Sequence, residues 1–427
     1  MMLMVLAIIG TLDGQDSAAV TQAFSGRSAA DYNRWLHRHA SEYPGLQPIH
    51  VQIDSEAAGD SERYSYHASF LDDTGTVVRK RTFRGVRDES RAMIEAPGKF
   101  LYARKSDNGD VLFVSPETFV VTVYGQSGDS MFTSTDGDVE GDGGLYFRQY
   151  VDDEAYSYRD YFEVLGGKGQ LLRKVTLGCT GEGVGLQTNH PFVYSRDTTY
   201  VMHAGSYASV IDKRGKVVWQ MASDRLTAVA MSNDGRVVAV TTPESLVVRN
   251  LSSGQSLSVK FPEARLLDSA RAAGGRVVPS GPFAMPLVAV SDDGGLVATF
   301  RPHNMGGTGV GLLDVYTSAG APLHQSLWLA PGMPRAMGFV GDRVAIVGDA
   351  GMSADSPSGR AARPTRTAPA MQRWLVTTVD SDGGTASAEA VSERDAFAKF
   401  TRNSIAFYAE DWLSVYRVES GSAEQRR

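Results

Sequence analysis

Residues Leu226 to Val259 read LTAVAMSNDGRVVAVTTPESLVVRNLSSGQSLSV, four short apolar runs cut by polar turns. Asn233-Asp234-Gly235 turns one run back on the next, and a second such turn centres on Gly254. Runs rich in Val and Leu, bounded by Asn, Asp, Ser and Gly, signal strands, and glycine supplies the positive φ of a tight hairpin turn. The stretch therefore predicts four strands in sequence, one complete antiparallel sheet.

The same unit recurs along the chain. Strand, polar turn with glycine near its end, and strand appear in SFLDDTGTVVRKRTF around Gly75, FVVTVYGQSGDSMF around Gly128, DYFEVLGGKGQLLRKV around Gly169 and ASVIDKRGKVVWQM around Gly215. Further copies centre on Gly254, Gly320, Gly383 and Gly421, and second hairpins lie at Ser291 to Gly295 and at Gly341-Asp342. One sheet alone leaves both faces uncovered, so neighbouring units must stack. Four-stranded units repeated in this way build a β-propeller. The expected class is all-β, with seven blades from eight glycine turns and eight as the alternative. β-sandwiches are the rival architecture, but they do not require the same turn unit eight times. The first unit, residues 47–84, is expected as a partial blade that closes the ring against the last.

Residues 28–42 (SAADYNRWLHRHASE) predict one helix, capped by Ser28 or Asp31 and stopped by Pro44-Gly45, with Tyr32, Trp35, Leu36 and His39 at helical spacing. A weaker helical pattern covers Glu263 to Ala273. The apolar run Met1 to Leu12 (MMLMVLAIIGTL) has the length of a signal-peptide core, and Ser17-Ala18-Ala19 supplies small residues for cleavage. No Lys or Arg precedes it, and the rival reading is a buried edge element. The expected organisation is a signal peptide at 1–19, a helical segment at 20–46 and the propeller at 47–427.

With 427 residues the chain can bury a large core, and 42 Lys and Arg against 49 Asp and Glu leave it at −7. That balance argues against nucleic-acid binding without a concentrated basic face. A single cysteine, Cys179, excludes an internal disulfide framework and a Cys-based zinc cluster. Beyond residue 12 no apolar run reaches the roughly 18 residues of a membrane helix.

Val210-Ile211-Asp212-Lys213-Arg214-Gly215-Lys216-Val217-Val218-Trp219 is similar to the repeat of quinoprotein (PQQ)-like propellers: a strand, an Asp, a Gly-Lys turn and a Trp that docks between blades. Over about residues 60–421 the chain resembles bacterial propellers of the WD-repeat-like and quinoprotein-like type. Only this copy carries the Trp, and the Gly-His and Trp-Asp dipeptides of WD repeats are missing. The resemblance implies an architecture and little about function, since propellers host enzymes and scaffolds alike.

Motifs for chemistry are sparse. Eight histidines are scattered singly, with no HExxH spacing. His303, in RPHNMGGTG, is expected in a glycine-rich loop that could line a binding mouth. Gly178 to Gly185 (GCTGEGVG) runs into no helix and so reads as an inter-blade loop rather than a phosphate cradle. No GxSxG elbow occurs, and five Trp with one docking copy argue against quinone binding. Met352 to Met371, with Arg360, Arg363 and Arg366, reads as an inserted loop, either solvated or a basic arm for an acidic partner. Asp136-Gly137-Asp138-Val139-Glu140-Gly141-Asp142 has the spacing of a calcium loop, with Asp136, Asp138, Glu140 and Asp142 as metal ligands. An acidic solvated hairpin is the competing reading.

These features favour an exported, monomeric, non-enzymatic scaffold, periplasmic or extracellular, that binds a protein partner or other ligand through loops around the central channel. Cytoplasmic residence is the alternative location. A propeller hydrolase or lactonase with a metal at the channel is the alternative function.

Overall fold

The computed structural model describes residues 20–57, 63–86, 102–106, 109–117, 120–135, 139–141, 144–152, 159–179, 192–196, 199–204, 207–212, 214–222, 228–242, 244–261, 278–279, 286–305, 308–349, 371–393, 396–409 and 413–419. They form eight antiparallel sheets that follow one another along the chain, and one helix. Numbered in chain order, sheet 1 spans 51–86, sheet 2 102–134, sheet 3 139–179, sheet 4 192–222, sheet 5 228–260, sheet 6 278–329, sheet 7 333–393 and sheet 8 397–418. Sheet 5 is the quoted stretch, with strands Ala228–Met231, Val237–Thr241, Ser245–Asn250 and Ser256–Lys260 paired in that order.

Strand Val237–Thr241 shows why such units stack: all five of its residues are buried, so both faces need a neighbour. One face joins Ala208 and Val210 of sheet 4, and the other joins Val297 and Tyr316 of sheet 6. Similar apolar seams join sheets 1 and 2, 2 and 3, 6 and 7, and 7 and 8. Stacked four-stranded sheets of this kind are the blades of a β-propeller.

Two kinds of turn punctuate the sheets, and both gather on one end of the blades. Between the first and second strands, a serine hydroxyl caps the turn: Ser232 Oγ accepts from Arg236 N and Val237 N, Ser291 Oγ from Leu296 N, and Ser106 Oγ from Asp110 N and Val111 N. Between the last two strands, an Asp or Asn does so. Asp72 Oδ1 accepts from Thr74 N and Thr76 N, Asp212 Oδ1 from Arg214 N and Lys216 N, and Asp380 Oδ1 from Asp382 N and Gly384 N. Such side-chain caps mimic a backbone turn. The Thr74 hydroxyl and the turn amides hold the Asp72 carboxyl below the usual carboxylate range. Neighbouring turns touch: Asn233 donates to Asp292 across sheets 5 and 6. We call this end the turn face.

Five turns that precede an outermost strand seat on the preceding sheet, while the Gly254 turn meets only Arg249 of its own sheet and the Gly75 turn meets Ala30 of the helix. Gly128 lies on Phe70 and Arg79, Gly169 on Phe132, Gly215 on Leu172, Gly320 on Leu257 and Gly383 on His324. At Gly169, with φ +75°, a Cβ would stand 2.6 Å from the Phe132 ring. At these five copies the repeat legible in sequence is thus the contact that joins one sheet to the next.

The ring closes differently from the sequence expectation. The fourth strand of sheet 8 is Val20–Gly26, paired with Leu413–Val418 through Val20↔Val418 and Gly26↔Leu413. The unit at 47–84 instead forms sheet 1, three-stranded among the described residues, which packs on sheet 2. Between sheets 8 and 1 lies the helix Ala29–His39, whose Ser28 cap accepts from Asp31 N. Tyr32 and Leu36 join Ala406, Tyr408, Leu413 and Val415 of sheet 8 and Leu71 of sheet 1 in one apolar cluster. Asn33, fully buried, fixes the linker by donating to Ile49 O at 2.8 Å and accepting from Ile49 N at 2.9 Å. It also reaches Asp72 O of the sheet 1 turn at 3.1 Å.

Candidate functional site

At the end opposite the turn face, the innermost strands of sheets 7 and 8 begin at Met333 and Phe397. Gly338 abuts the Phe400 ring and Gly341 the Arg402 carbonyl, so these two strands run side by side. Met333 is 41% and Phe397 45% exposed, although both start strands that are otherwise mostly covered. Trp328, 43% exposed, lies near the end of the sheet 6 outer strand that leads across to Met333. Arg335 is exposed two residues further on and has no ion pair among the described residues. Met333 and Phe397 thus leave apolar surface exposed where these two innermost strands begin, and we call this end the mouth.

Rigid packing stands behind this mouth. The Phe397 ring stacks on Tyr408 at 5.2 Å and 18°. The Tyr408 hydroxyl meets that of Tyr32 at 3.2 Å, and Tyr32 packs on Phe24 and Trp35. Burial pushes the Tyr408 hydroxyl up to about 12 and raises Tyr32 as well, so both stay neutral hydrogen-bonding groups at physiological pH. The mouth is thereby tied to the helix that completes the ring. Its chemistry is apolar contact with one adjacent cation, suited to holding a side chain rather than to moving a proton.

The calcium-loop residues Asp136, Asp138 and Asp142 lie outside the described residues, and Glu140 is placed only as backbone in the strand Val139–Gly141, opposite Phe147. Also outside are the basic arm from 352 to 370 and the helical pattern at 263–273. His303 departs from expectation. Its backbone belongs to the strand Leu296–Met305, paired with Val310 and Pro279, and not to a loop. Pairing with the strand Thr308–Thr317 extends it to Met305. Cys179 ends the strand Leu171–Cys179. Trp219 packs into the seam between sheets 4 and 5, as its motif suggested. Among the described residues, no three His, Cys, Asp or Glu side chains are placed to hold a metal.

Two charged constellations were missed by sequence reasoning. His50 bridges the turns of sheets 1 and 2, with Nδ1 2.5 Å from Asp110 Oδ1 and Nε2 2.9 Å from Asp73 Oδ1. The Asp110 hydrogen bond raises its pKa above the ordinary 6.5, against the lowering effect of burial, and Asp73 adds to the rise. A ring that donates from both nitrogens keeps no lone pair for a metal or a substrate proton, so this is a clasp. In the seam between sheets 5 and 6, Arg301 Nη2 lies 2.8 Å from Asp314 Oδ2 and its guanidinium 4.6 Å from the Phe261 ring centre. Asp314 is fully buried, and its other oxygen accepts from Ser326 N at 2.8 Å, where Ser326 takes φ +56°. Neither constellation has a local sequence signature, because the partners stand 12 to 60 residues apart.

No protein-family model and no curated protein matches the chain. Solved structures do. Kluyveromyces lactis Hsv2 is 10% identical over 75% of this chain and 94% of that one, with a TM-score of 0.40. The WD40 domain of SCAP from fission yeast is 8% identical over 88% and 97%, with a TM-score of 0.38. The Neurospora crassa Pan2 WD40 domain is 9% identical over 75% and 89%, with a TM-score of 0.35. No helix among the described residues is long and apolar enough to cross a membrane.

Proposed function

We propose that this propeller is a non-enzymatic binding scaffold that holds a protein partner at the mouth formed by Met333, Arg335 and Phe397. The observation that carries the reading is the exposure of Met333 and Phe397, 41% and 45%, with the Phe397 ring held by stacking on Tyr408. A rigid platform with apolar anchors keeps the ordering entropy of binding small. Export fits the apolar Met1 to Leu12 run and the small residues at 17–19. Calcium at Asp136, Asp138, Glu140 and Asp142 would clamp a connection and take no part in chemistry.

Site-specific photocrosslinking tests the binding site. A photoreactive residue at Phe397 is expected to trap a discrete protein that the same residue at Asp382, on the turn face, does not. Met333→Asp is expected to abolish the adduct. Equal labelling from both positions, or turnover of lactones or esters by the purified protein, overturns the reading.

A further inference from the structure

We propose that the outer rim of sheets 3 and 4 docks an acidic segment of a partner protein, at a surface separate from the channel mouth. The rim is built from two elements in contact. One is the turn Gly166 to Gln170 with the start of the strand Leu171–Cys179. The other is the turn Asp212 to Lys216 with the start of the strand Val217–Ala222. Gly215 sits on Leu172, where a Cβ would stand 3.1 Å from the Leu172 Cβ, so the two elements form one surface.

Lys168, Arg173, Lys174, Arg214 and Lys216 are all exposed on this surface. Among the described side chains, the carboxylates on these two elements' sheets are occupied. Glu163, with its side chain 6% exposed, is shared by Arg148 and Lys174. Asp212 is half-buried and caps its own turn. From 168 to 174 and from 214 to 218 no side chain is acidic, in a chain whose net charge is −7. Among these cations stand aliphatic side chains: Leu171 is 50%, Leu172 40% and Val218 46% exposed.

Charge on an outer strand is also a defence against edge-to-edge pairing. Outer strands differ in this: Ser130–Ser134 reads SMFTS and carries no charge, whereas Val77–Val86 carries Arg79, Lys80, Arg81 and Arg84. The pairing of Leu171–Cys179 with Arg159–Gly166 also shifts register between Leu171 and Arg173, and such a bulge already blunts the edge. With the bulge already serving edge protection, the cations other than Lys174 are available to a ligand. Two of them are arginines, which take carboxylates in a planar, two-pronged contact, and the half-exposed leucines between them offer anchor points. The complementary ligand is a short peptide stretch with several Glu or Asp and one or two aliphatic residues.

The probe is a fluorescent peptide of about 12 residues rich in Glu with two Leu, read by anisotropy against the same peptide with Lys in place of Glu. The Glu peptide is expected to saturate the intact chain at low salt and to weaken steeply as ionic strength rises and the screening length falls below about 10 Å. Arg214→Glu with Lys216→Glu, both on an exposed turn, is expected to lose at least about tenfold in affinity. Leu171→Ser loses less, and Arg335→Glu at the channel mouth leaves binding unchanged. Circular dichroism checks that each variant folds. The proposal is overturned if the Glu peptide does not saturate, if the turn variant binds it equally, or if the protein ignores it and sediments with phosphatidylserine vesicles. None of these outcomes bears on crosslinking from Phe397, so the two surfaces stand or fall separately.

Discussion

If the glycine turns join the blades, the space around each should matter as much as its backbone angle. Gly169 and Gly254 separate the two effects. Both have nearly the same conformation, φ +75° and φ +73°. An alanine in the left-handed region costs about 1–2 kcal/mol for its Cβ alone. At Gly254 that is the whole penalty, since the nearest atom to a new Cβ is the flexible Arg249 Nη2 at 3.7 Å. At Gly169 the Cβ would stand 2.6 Å from Phe132 Cγ and Cδ2. The Phe132 ring cannot retreat freely, because it meets the fully buried Tyr146 edge-on at 4.9 Å. Overpacking of this kind adds about 1–3 kcal/mol. Gly169→Ala is thus expected to lose roughly 2–5 kcal/mol and Gly254→Ala roughly 1–2. Urea unfolding followed by tryptophan fluorescence measures both, with the slope checked to be unchanged. Equal losses, within about 0.5 kcal/mol, would refute the idea that the turn of one sheet is seated on the sheet before it.

Three further outcomes follow from the charged groups. Asp314→Ala leaves Arg301 buried without its carboxylate and Ser326 N–H without its acceptor, and is expected to cost about 3–5 kcal/mol in urea unfolding, more than replacing Arg301 and Asp314 together by Leu. The His50 pKa is raised on folding, so its clasp contributes fully below pH 6.5 and is lost as pH rises through the higher folded value. The wild-type urea midpoint should therefore fall across that window relative to His50→Gln, and parallel pH profiles would discount the clasp. Millimolar calcium is expected to raise the melting midpoint over that in EDTA, and Asp138→Ala to remove the shift.

The propeller was legible because its signals are local. A Val-rich strand, a Ser or Asp cap and a glycine turn all lie within one window, and sheet 5 could be read whole from residues 226–259. The helix was legible for the same reason, from Ser28 to His39. What escaped is what long-range contact creates. Val20–Gly26 reads VTQAFSG, too short and polar to announce a strand, and its pairing partner Leu413–Val418 lies nearly 400 residues away in sequence. His50 reads as a lone histidine until the turns carrying Asp73 and Asp110 converge on it. Met333 and Phe397 read as ordinary strand residues, because exposure at a strand end depends on what the ring leaves uncovered. The His303 expectation failed where glycines suggested a loop but cross-strand pairing with Val310 extended the sheet.

The pairing of Val20 with Val418 has a temporal side. During synthesis the strand at 20–26 is the first described element to be made, and its hydrogen-bonding partner is the last. Sheets 2 to 7 can each form as their own strands emerge, but sheet 8 cannot be finished until Leu413–Val418 has been made. Until then Phe24, Tyr32 and Trp35 lack the surface of Tyr408 and Val415 against which they pack. The newborn chain thus carries an unpaired strand and an uncovered aromatic cluster until residues 413–418 are made, and a ribosome that stalls before residue 413 leaves a product that no amount of local folding can seal.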